Sequence, residues 1–177
     1  MPVILISACL IGVRCTWRGA AAASATVERF QALLAGGAAR RAIFIPICPE
    51  QLGGLPTPRP PAELQASATL ILAGRGQVRT RDGHDCTAAY LRGAEETRRL
   101  ARLTGAGLAV LRDRSPACGV RAIHAGFFTG ALAAGRGVTA QALREEGIPL
   151  LTAEEFLAAW PPFGAGESPG DGWVYLA

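Results

Sequence analysis

Residues 3–8 read VILISA, and this short apolar run indicates the class of fold. Its β-branched and apolar residues predict a strand buried on both faces, as the central strands of parallel sheets are. The run ends in small residues, and Cys9 follows directly at the predicted carboxyl end. Cys9 is therefore expected at an edge of the sheet, where loops gather.

Further segments repeat this pattern outward along the chain. Apolar runs predict strands at 42–47, 107–111 and 148–151, and caps with helical periodicity predict helices at 24–34, 87–103, 138–146 and 153–160. We expect residues 69–80 to form a strand or hairpin and residues 120–132 a short hairpin. Alternating strands and helices predict an α/β fold, layered α/β/α with a mostly parallel sheet (Rossmann-like).

Two Gly/Pro-rich segments stand apart from these elements. Residues 49–61 are predicted to lack regular structure and to cover a site, because proline and glycine punctuate the whole segment. Residues 161–177 form a Pro/Gly-rich carboxyl-terminal tail that ends in apolar residues. A length of 177 residues suits one domain, which we place at 1–160, followed by the tail at 161–177.

Composition narrows the class of protein. Half of the residues are hydrophobic and 18% are charged, which excludes a disordered chain. The formal charge of +4 allows a nucleotide or nucleic-acid partner, but no dense basic segment marks a binding arm. No apolar run reaches the 18 to 20 residues or so that cross a bilayer, and the start lacks the charged region of a signal peptide. We therefore expect a cytoplasmic protein with no membrane partner.

Cysteines provide the strongest chemical signal. Cys9, Cys48 and Cys118 each lie at the end of a predicted strand or in the loop beyond it, beside glycine or proline. Ligands bind at that edge in open α/β sheets, and five cysteines in a reducing compartment favour metal or catalysis over disulfides. A lone cysteine at a strand end is more often a small buried hydrophobe. Three at equivalent positions favour a thiolate site, and the lack of a C-x-x-C pair disfavours an ordinary zinc site.

Several short motifs follow one another along the chain. They are, in chain order, Ser7-Ala8-Cys9-Leu10 with Gly12 and Cys15, Cys48-Pro49-Glu50, Gly53-Gly54-Leu55-Pro56-Thr57-Pro58-Arg59, Asp82-Gly83 with Asp85 and Thr87, Leu91-Arg92-Gly93-Ala94, Ser115-Pro116 with Cys118-Gly119, and Gly137-Val138-Thr139. Together these motifs resemble a bacterial family catalogued as domain-of-unknown-function family 523, which includes thiouracil desulfidases. The resemblance covers about 2–151.

The resemblance implies a [4Fe–4S] cluster held by Cys9, Cys48 and Cys118, with one iron open to the sulfur of a thiolated pyrimidine. It implies hydrolytic, non-redox removal of that sulfur with release of hydrosulfide. Glu50 is the expected base for water, and Ser115 is expected to position water or substrate. Alternatively, Glu50 caps the following loop and Ser115 shapes its own turn.

Other residues in and near these motifs have alternative roles. Cys15 is a catalytic candidate as a further sulfur near the open iron or an acceptor of sulfide, and otherwise a structural thiol. Ser7 and Arg59 are candidates for substrate binding, where Arg59 contacts the pocket or a phosphate, or else pins its loop through carbonyls. Arg18 replaces an acid that is usual in the family. Cys86 is expected to pack, and His84 and His124 are not expected to bind metal.

Three functions follow from these expectations. The first is a cluster-dependent desulfidase acting on thiouracil or a related base. The second uses the same chemistry on thiouridine in transfer RNA, and the third is a non-catalytic iron–sulfur or zinc protein. Turnover of a thiolated base separates the first from the third, and salt-dependent transfer-RNA binding marks the second. The sequence indicates no oligomeric state.

Overall fold

The structure is a computed structural model that describes residues 1–37 and 40–160. Within these ranges the strands are β1 Val3–Ser7, β2 Ile43–Ile47, β3 Ala62–Leu64, β4 Val78–Thr80, β5 Leu108–Val110, β6 Ala122–His124, β7 Leu132–Ala134 and β8 Leu150–Leu151. The α-helices are α1 Ala25–Ala35, α2 Pro49–Leu52, α3 Ala68–Leu72, α4 Thr87–Thr104, α5 Val138–Glu145 and α6 Ala153–Ala159. A short 3-10 helix, Ala8–Ile11, follows β1.

A parallel sheet forms the centre of the described molecule. Its strand order is β2-β1-β5-β8, and each neighbouring pair is parallel. In β1, Ile4 is in register with Phe44 of β2 and with Leu108 of β5. This arrangement confirms the predicted mostly parallel α/β sheet. It also aligns the carboxyl ends of β1, β2 and β5 along one edge.

Helices cover both faces of this sheet. Side chains alternate along β1, so that Leu5 faces one core while Ile4 and Ile6 face the other, and all three are buried. Helices α4 and α5 pack with Leu5, and helices α1 and α6 pack with Ile4 and Ile6. The second core contains a cluster of aromatic rings from Phe30, Phe44, Phe156 and Trp160. The predicted α/β/α layering is thus confirmed.

Two local predictions are wrong. The segment 49–61 is not wholly irregular, because residues 49–52 form α2 with Pro49 in its first turn. Proline suits that position, since the first helical N–H has no partner within the helix. Residues 69–80 are not one strand or hairpin: 68–72 form α3, where the Ser67 hydroxyl accepts a hydrogen bond from Leu70 N. Only 78–80 pair, antiparallel to the unpredicted strand β3. The hairpin expected at 120–132 exists as β6 and β7.

Helices α2 and α4 approach each other through glycine. A Cβ on Gly93 would lie 2.0 Å from the carbonyl oxygen of Pro49, and a Cβ on Gly53 would lie 2.0 Å from that of Ala89. Arg92 adds two hydrogen bonds, from Nε (2.9 Å) and Nη2 (2.7 Å), to the Gly53 carbonyl oxygen. The short helix α2 is therefore fixed directly on the backbone of α4.

Among the described helices, none combines the length and apolarity that crossing a bilayer requires. The predicted tail, 161–177, lies outside the described residues.

Replacement of Gly93 by alanine should lower the free energy of unfolding by about 1–3 kcal/mol, because a methyl group would overlap a backbone carbonyl and force the two helices apart. Gly107→Ala is the matched control, since Gly107 is exposed and its Cβ would meet nothing within 4 Å. Urea unfolding of both variants measures the difference. Equal stability of the two variants would contradict the close approach.

Candidate active site

One cavity of about 960 Å³ opens at the carboxyl edge of the sheet. Its walls come from the segments that follow β1, β2, β5 and β8, together with α4 and the β6–β7 hairpin. All eight residues predicted from the sequence line it, namely Ser7, Cys9, Cys15, Cys48, Glu50, Arg59, Ser115 and Cys118. The structure therefore brings together side chains that are up to 111 positions apart in the chain.

Cys15 lies between two of the proposed ligands. Its thiol lies within hydrogen-bonding reach of the sulfurs of both Cys9 and Cys48, and it has one proton to share between them. When protonated, Cys48 also donates from Sγ to the carbonyl oxygen of Cys15 at 3.7 Å. Within the described residues all five cysteines are free thiols. The sulfurs of Cys9, Cys15 and Cys48 thus form one group within the cavity.

These contacts favour thiolates at both outer positions. The Cys15 hydrogen bond lowers the pKa of Cys9 to about 7, helped by the Arg112 guanidinium. The same donor lowers the pKa of Cys48 to about 6, helped by Arg59. The pKa of Cys15 itself is raised, chiefly by its hydrogen bonds to Cys48 and Cys9. Cys15 is therefore the protonated member that stabilises two anionic neighbours.

Cys118 also lines the cavity, in a different environment. Burial raises the pKa of its thiol to about 12, while hydrogen bonds from the hydroxyls of Ser7 and Ser115 oppose that rise. The same hydroxyl oxygens accept backbone N–H groups: Ser7 from Arg112 at 3.0 Å, and Ser115 from Cys118 at 3.1 Å. Both serines consequently fix the position of the Cys118 sulfur. Ser115 also shapes its turn, which was the alternative considered for it.

The backbone around Cys118 is held tightly by the start of α5. The N–H groups of Val138 and Thr139 donate to the carbonyl oxygens of Pro116 and Ala117, at 2.9 and 3.0 Å. A Cβ on Gly137 would lie 2.4 Å from the Ala117 carbonyl, so the approach requires glycine there. This explains why a Gly-Val-Thr motif so distant in sequence belongs with the Cys118 loop.

Glu50 is one of five acidic residues that line the cavity, and other side chains hold both of its oxygens. Arg59 Nη2 forms a buried ion pair with Oε2. The Tyr90 hydroxyl donates to Oε1 at 2.5 Å. Arg59 also donates to the carbonyl oxygens of Cys15, at 2.9 Å, and Pro56, at 3.2 Å. Arg59 therefore pins its loop through carbonyl oxygens, which was one of the two roles predicted for it. It also connects that loop to Glu50.

Aromatic and basic side chains line the rest of the cavity. The Arg18 guanidinium lies 4.6 Å from the centroid of the Trp17 ring, and both residues line the opening. The charge that replaces the family's usual acid therefore stacks on an aromatic neighbour. Arg81 and Phe128 also line the cavity, and the Arg81 guanidinium lies 5.6 Å from the centroid of the Phe128 ring.

The cysteine and the two histidines that were not predicted to belong to the site lie in different places. Cys86 does not line the cavity; its thiol donates to Val78 O at 3.3 Å, and burial raises its pKa to about 11. His84 is exposed, whereas His124 lines the cavity. Sequence reasoning missed Tyr90 and Arg112. A tyrosine on the apolar face of a helix was the available signal for Tyr90, since a buried hydroxyl needs a partner.

The donor set fits an iron–sulfur cluster. Cysteine thiolates are the ligands that such clusters require, and Cys9, Cys48 and Cys118 reach the cavity from three separate loops. In the part of the chain that the structure describes, no three His, Cys, Asp or Glu side chains are arranged to hold a single metal ion. A cluster of several irons is wider than one ion, so its ligands stand farther apart.

Fold and cavity together define an α/β protein with a cysteine-lined pocket at the carboxyl edge of a parallel sheet. The chain belongs to the 2-thiouracil desulfurase family, whose model matches residues 4–155. It is 36% identical over 153 residues to a curated relative, the uncharacterised protein YbbK of Bacillus subtilis (strain 168), covering 86% of this chain and 96% of that one. Among solved structures it resembles the [4Fe–4S]-dependent thiouracil desulfidase TudS, with a TM-score of 0.71 and 38% identity, over 89% of this chain and 97% of that one. These findings confirm the resemblance seen in the sequence motifs.

Alkylation of the metal-free, reduced protein should distinguish Cys48 from Cys86, which is equally half-buried. The Cys48 rate should reach half its maximum near pH 6, while the Cys86 rate should still be rising above pH 9. Cys15→Ala should move the Cys48 midpoint to higher pH, because it removes the thiol that donates to Cys48. Mass spectrometry after timed iodoacetamide treatment measures both rates. A shared pH dependence would contradict the assignment.

Proposed function

We propose that this protein is a [4Fe–4S]-dependent desulfidase that removes sulfur from thiouracil or a related thiolated pyrimidine. The observation that supports it most is the meeting of cysteine sulfurs and the Glu50 carboxylate in one cavity. Membership of the 2-thiouracil desulfurase family and the likeness to TudS support the same reaction. The cavity volume of about 960 Å³ lies within the range of small-molecule sites.

Cys9, Cys48 and Cys118 would hold the cluster. A cluster with only three thiolate ligands supplies an iron with an open position, a Lewis acid for soft sulfur. Low thiol pKa values of about 7 and about 6 at Cys9 and Cys48 favour binding, because ligating cysteines must lose their protons. Cys118 depends on the hydroxyls of Ser7 and Ser115 for the same purpose. The Cys15 thiol lies within hydrogen-bonding reach of two of these sulfurs, and its role would be to stabilise the thiolates by sharing its proton.

The reaction that fits these residues is hydrolytic. Water adds to the thiocarbonyl carbon, the carbon–sulfur bond breaks, and the products are uracil and hydrosulfide, with no change of redox state. Glu50 accepts the proton of the attacking water, since its carboxylate lines the same cavity as the cysteines. Ser115 and Ser7 hold Cys118 in place, and both also line the cavity that would hold the pyrimidine.

Anaerobic reconstitution with iron and sulfide tests ligands and reaction together. The parent protein should turn brown, contain about four irons per chain and release sulfide from 2- or 4-thiouracil. Cys9→Ser, Cys48→Ser and Cys118→Ser should each lose the visible absorption and the activity. Cys86→Ser is the matched control and should keep both, because Cys86 does not line the cavity.

The other outcomes separate the remaining hypotheses. A colourless protein that binds no iron would overturn the cluster and the desulfidase function with it. An intact cluster with no turnover of any thiolated base would favour a non-catalytic iron–sulfur protein. Release of sulfide from thiolated transfer RNA but not from free thiouracil would favour the RNA substrate, and its binding should then weaken steeply with salt.

Glu50→Gln should lower kcat by about 10²–10⁴-fold, because an amide cannot take the proton from water. The cluster should form normally, since the amide keeps the shape of the side chain and glutamate is not among the proposed ligands. Iron content and visible absorption provide the control on the same sample. Retention of the parent rate would remove Glu50 from the proposed mechanism.

A further inference from the structure

Tyr90 is a buried polar residue to which nothing in the sequence motifs assigned a role. It lies in the first turn of α4, the residue is 3% exposed, and it lines the cavity. Its hydroxyl donates to Glu50 Oε1 at 2.5 Å. A short hydrogen bond from a phenol to a carboxylate is stronger than one between neutral groups.

The backbone sets this distance. Glu50 is in α2, and α2 is fixed on α4 where Gly93 faces the Pro49 carbonyl and Gly53 faces the Ala89 carbonyl. Pro49 directly precedes Glu50, and Gly93 lies one helical turn after Tyr90. The close helix contact and the hydrogen bond therefore belong to the same interface.

Arg59 completes the arrangement around the carboxylate. It pairs with Oε2 while Tyr90 occupies one position on Oε1. A carboxylate offers about four acceptor positions over its two oxygens, so others are left for a water in the cavity. With each oxygen fixed by a different element, the side chain cannot rotate without losing a bond to a buried group.

We propose that Tyr90 is a positioning residue for Glu50: its hydroxyl fixes the carboxylate in the orientation that receives the proton of the attacking water. The inference rests on the proposed desulfidase function. Burial raises the pKa of the Tyr90 phenol, so it stays a neutral donor throughout the working pH range. Tyr90 acts through Glu50 and needs no contact with the reacting atoms.

Tyr90→Phe tests this by removing only the hydroxyl. It should lower kcat for thiouracil by about ten- to a hundredfold with KM within about twofold, since misplacement of a reacting group slows chemistry more than binding. Cluster content should equal that of the parent. The matched control is Thr97→Val, which removes another buried hydroxyl from α4, one that bonds within its own helix to Gly93 O at 2.7 Å. This control should keep the parent kcat.

A double-mutant cycle checks that Tyr90 acts through Glu50. In a Glu50→Gln background, Tyr90→Phe should cause almost no further loss of kcat, because the group that it positions is already gone. Additive losses would show that Tyr90 acts elsewhere and would overturn the inference. An active parent whose Tyr90→Phe variant keeps its kcat within twofold would also overturn it.

Infrared spectroscopy supplies a readout that needs no turnover. In protein labelled with ¹³C at the glutamate carboxyl groups, Tyr90→Phe should shift the carboxylate stretching band that Glu50→Gln abolishes, and Thr97→Val should leave it in place. An unshifted band would overturn the positioning role even if the loaded parent releases no sulfide. Absence of sulfide release by the parent, with the band shifted as expected, would instead overturn the proposed function and leave the contact between Tyr90 and Glu50 standing.

Discussion

Parallel pairing of β1 with β2 and β5 is the constraint on which the site depends. Parallel strands end at the same edge, so Ser7, Ile47 and Val110 end their strands together although they are far apart in the chain. The segments that follow deliver Cys9, Cys48 and Cys118 to one cavity. An antiparallel partner for β1 would have sent its neighbouring cysteine to the opposite edge. The cores on the two faces, built on Leu5 and on Ile4 with Ile6, hold this register because a shift of one residue would exchange them.

A second level of precision comes from backbone contacts that admit no side chain. At the α2–α4 interface and at the start of α5, glycine lets one backbone approach another to distances that a Cβ would forbid. The first contact sets Glu50 against Tyr90, and the second sets the loop of Cys118 against Gly137. Groups on short loops thus acquire the rigidity of the long helices behind them. Rigid support of this kind is what a site with a positioned proton acceptor requires.

Much of this could be predicted from residues 3–8 and the strands like them, because apolar runs report burial and strand ends report where ligands gather. The position of Cys48 followed from the end of β2, for example. Helix α2 could not be predicted, since Pro49 reads as a breaker unless the helix is known to begin there. Helix α3 was misread because Thr69 and Ile71 are β-branched, while capping by Ser67 and burial of Ile71 determine its form. The Tyr90–Glu50 bond arises from a packing distance that no local pattern records.

The scattering of the cysteines has a consequence for how the protein matures. Clusters bound by closely spaced cysteines can draw their ligands from one short segment, but here the ligands for the proposed cluster are separated by 109 positions between Cys9 and Cys118. No short segment of the chain contains the whole set, so the three cysteines come together only where β1, β2 and β5 have paired. Assembly of the proposed cluster is therefore coupled to folding of the sheet. A cluster that binds only the folded chain adds its binding free energy to the stability of the native state. Loss of iron should therefore lower the free energy of unfolding.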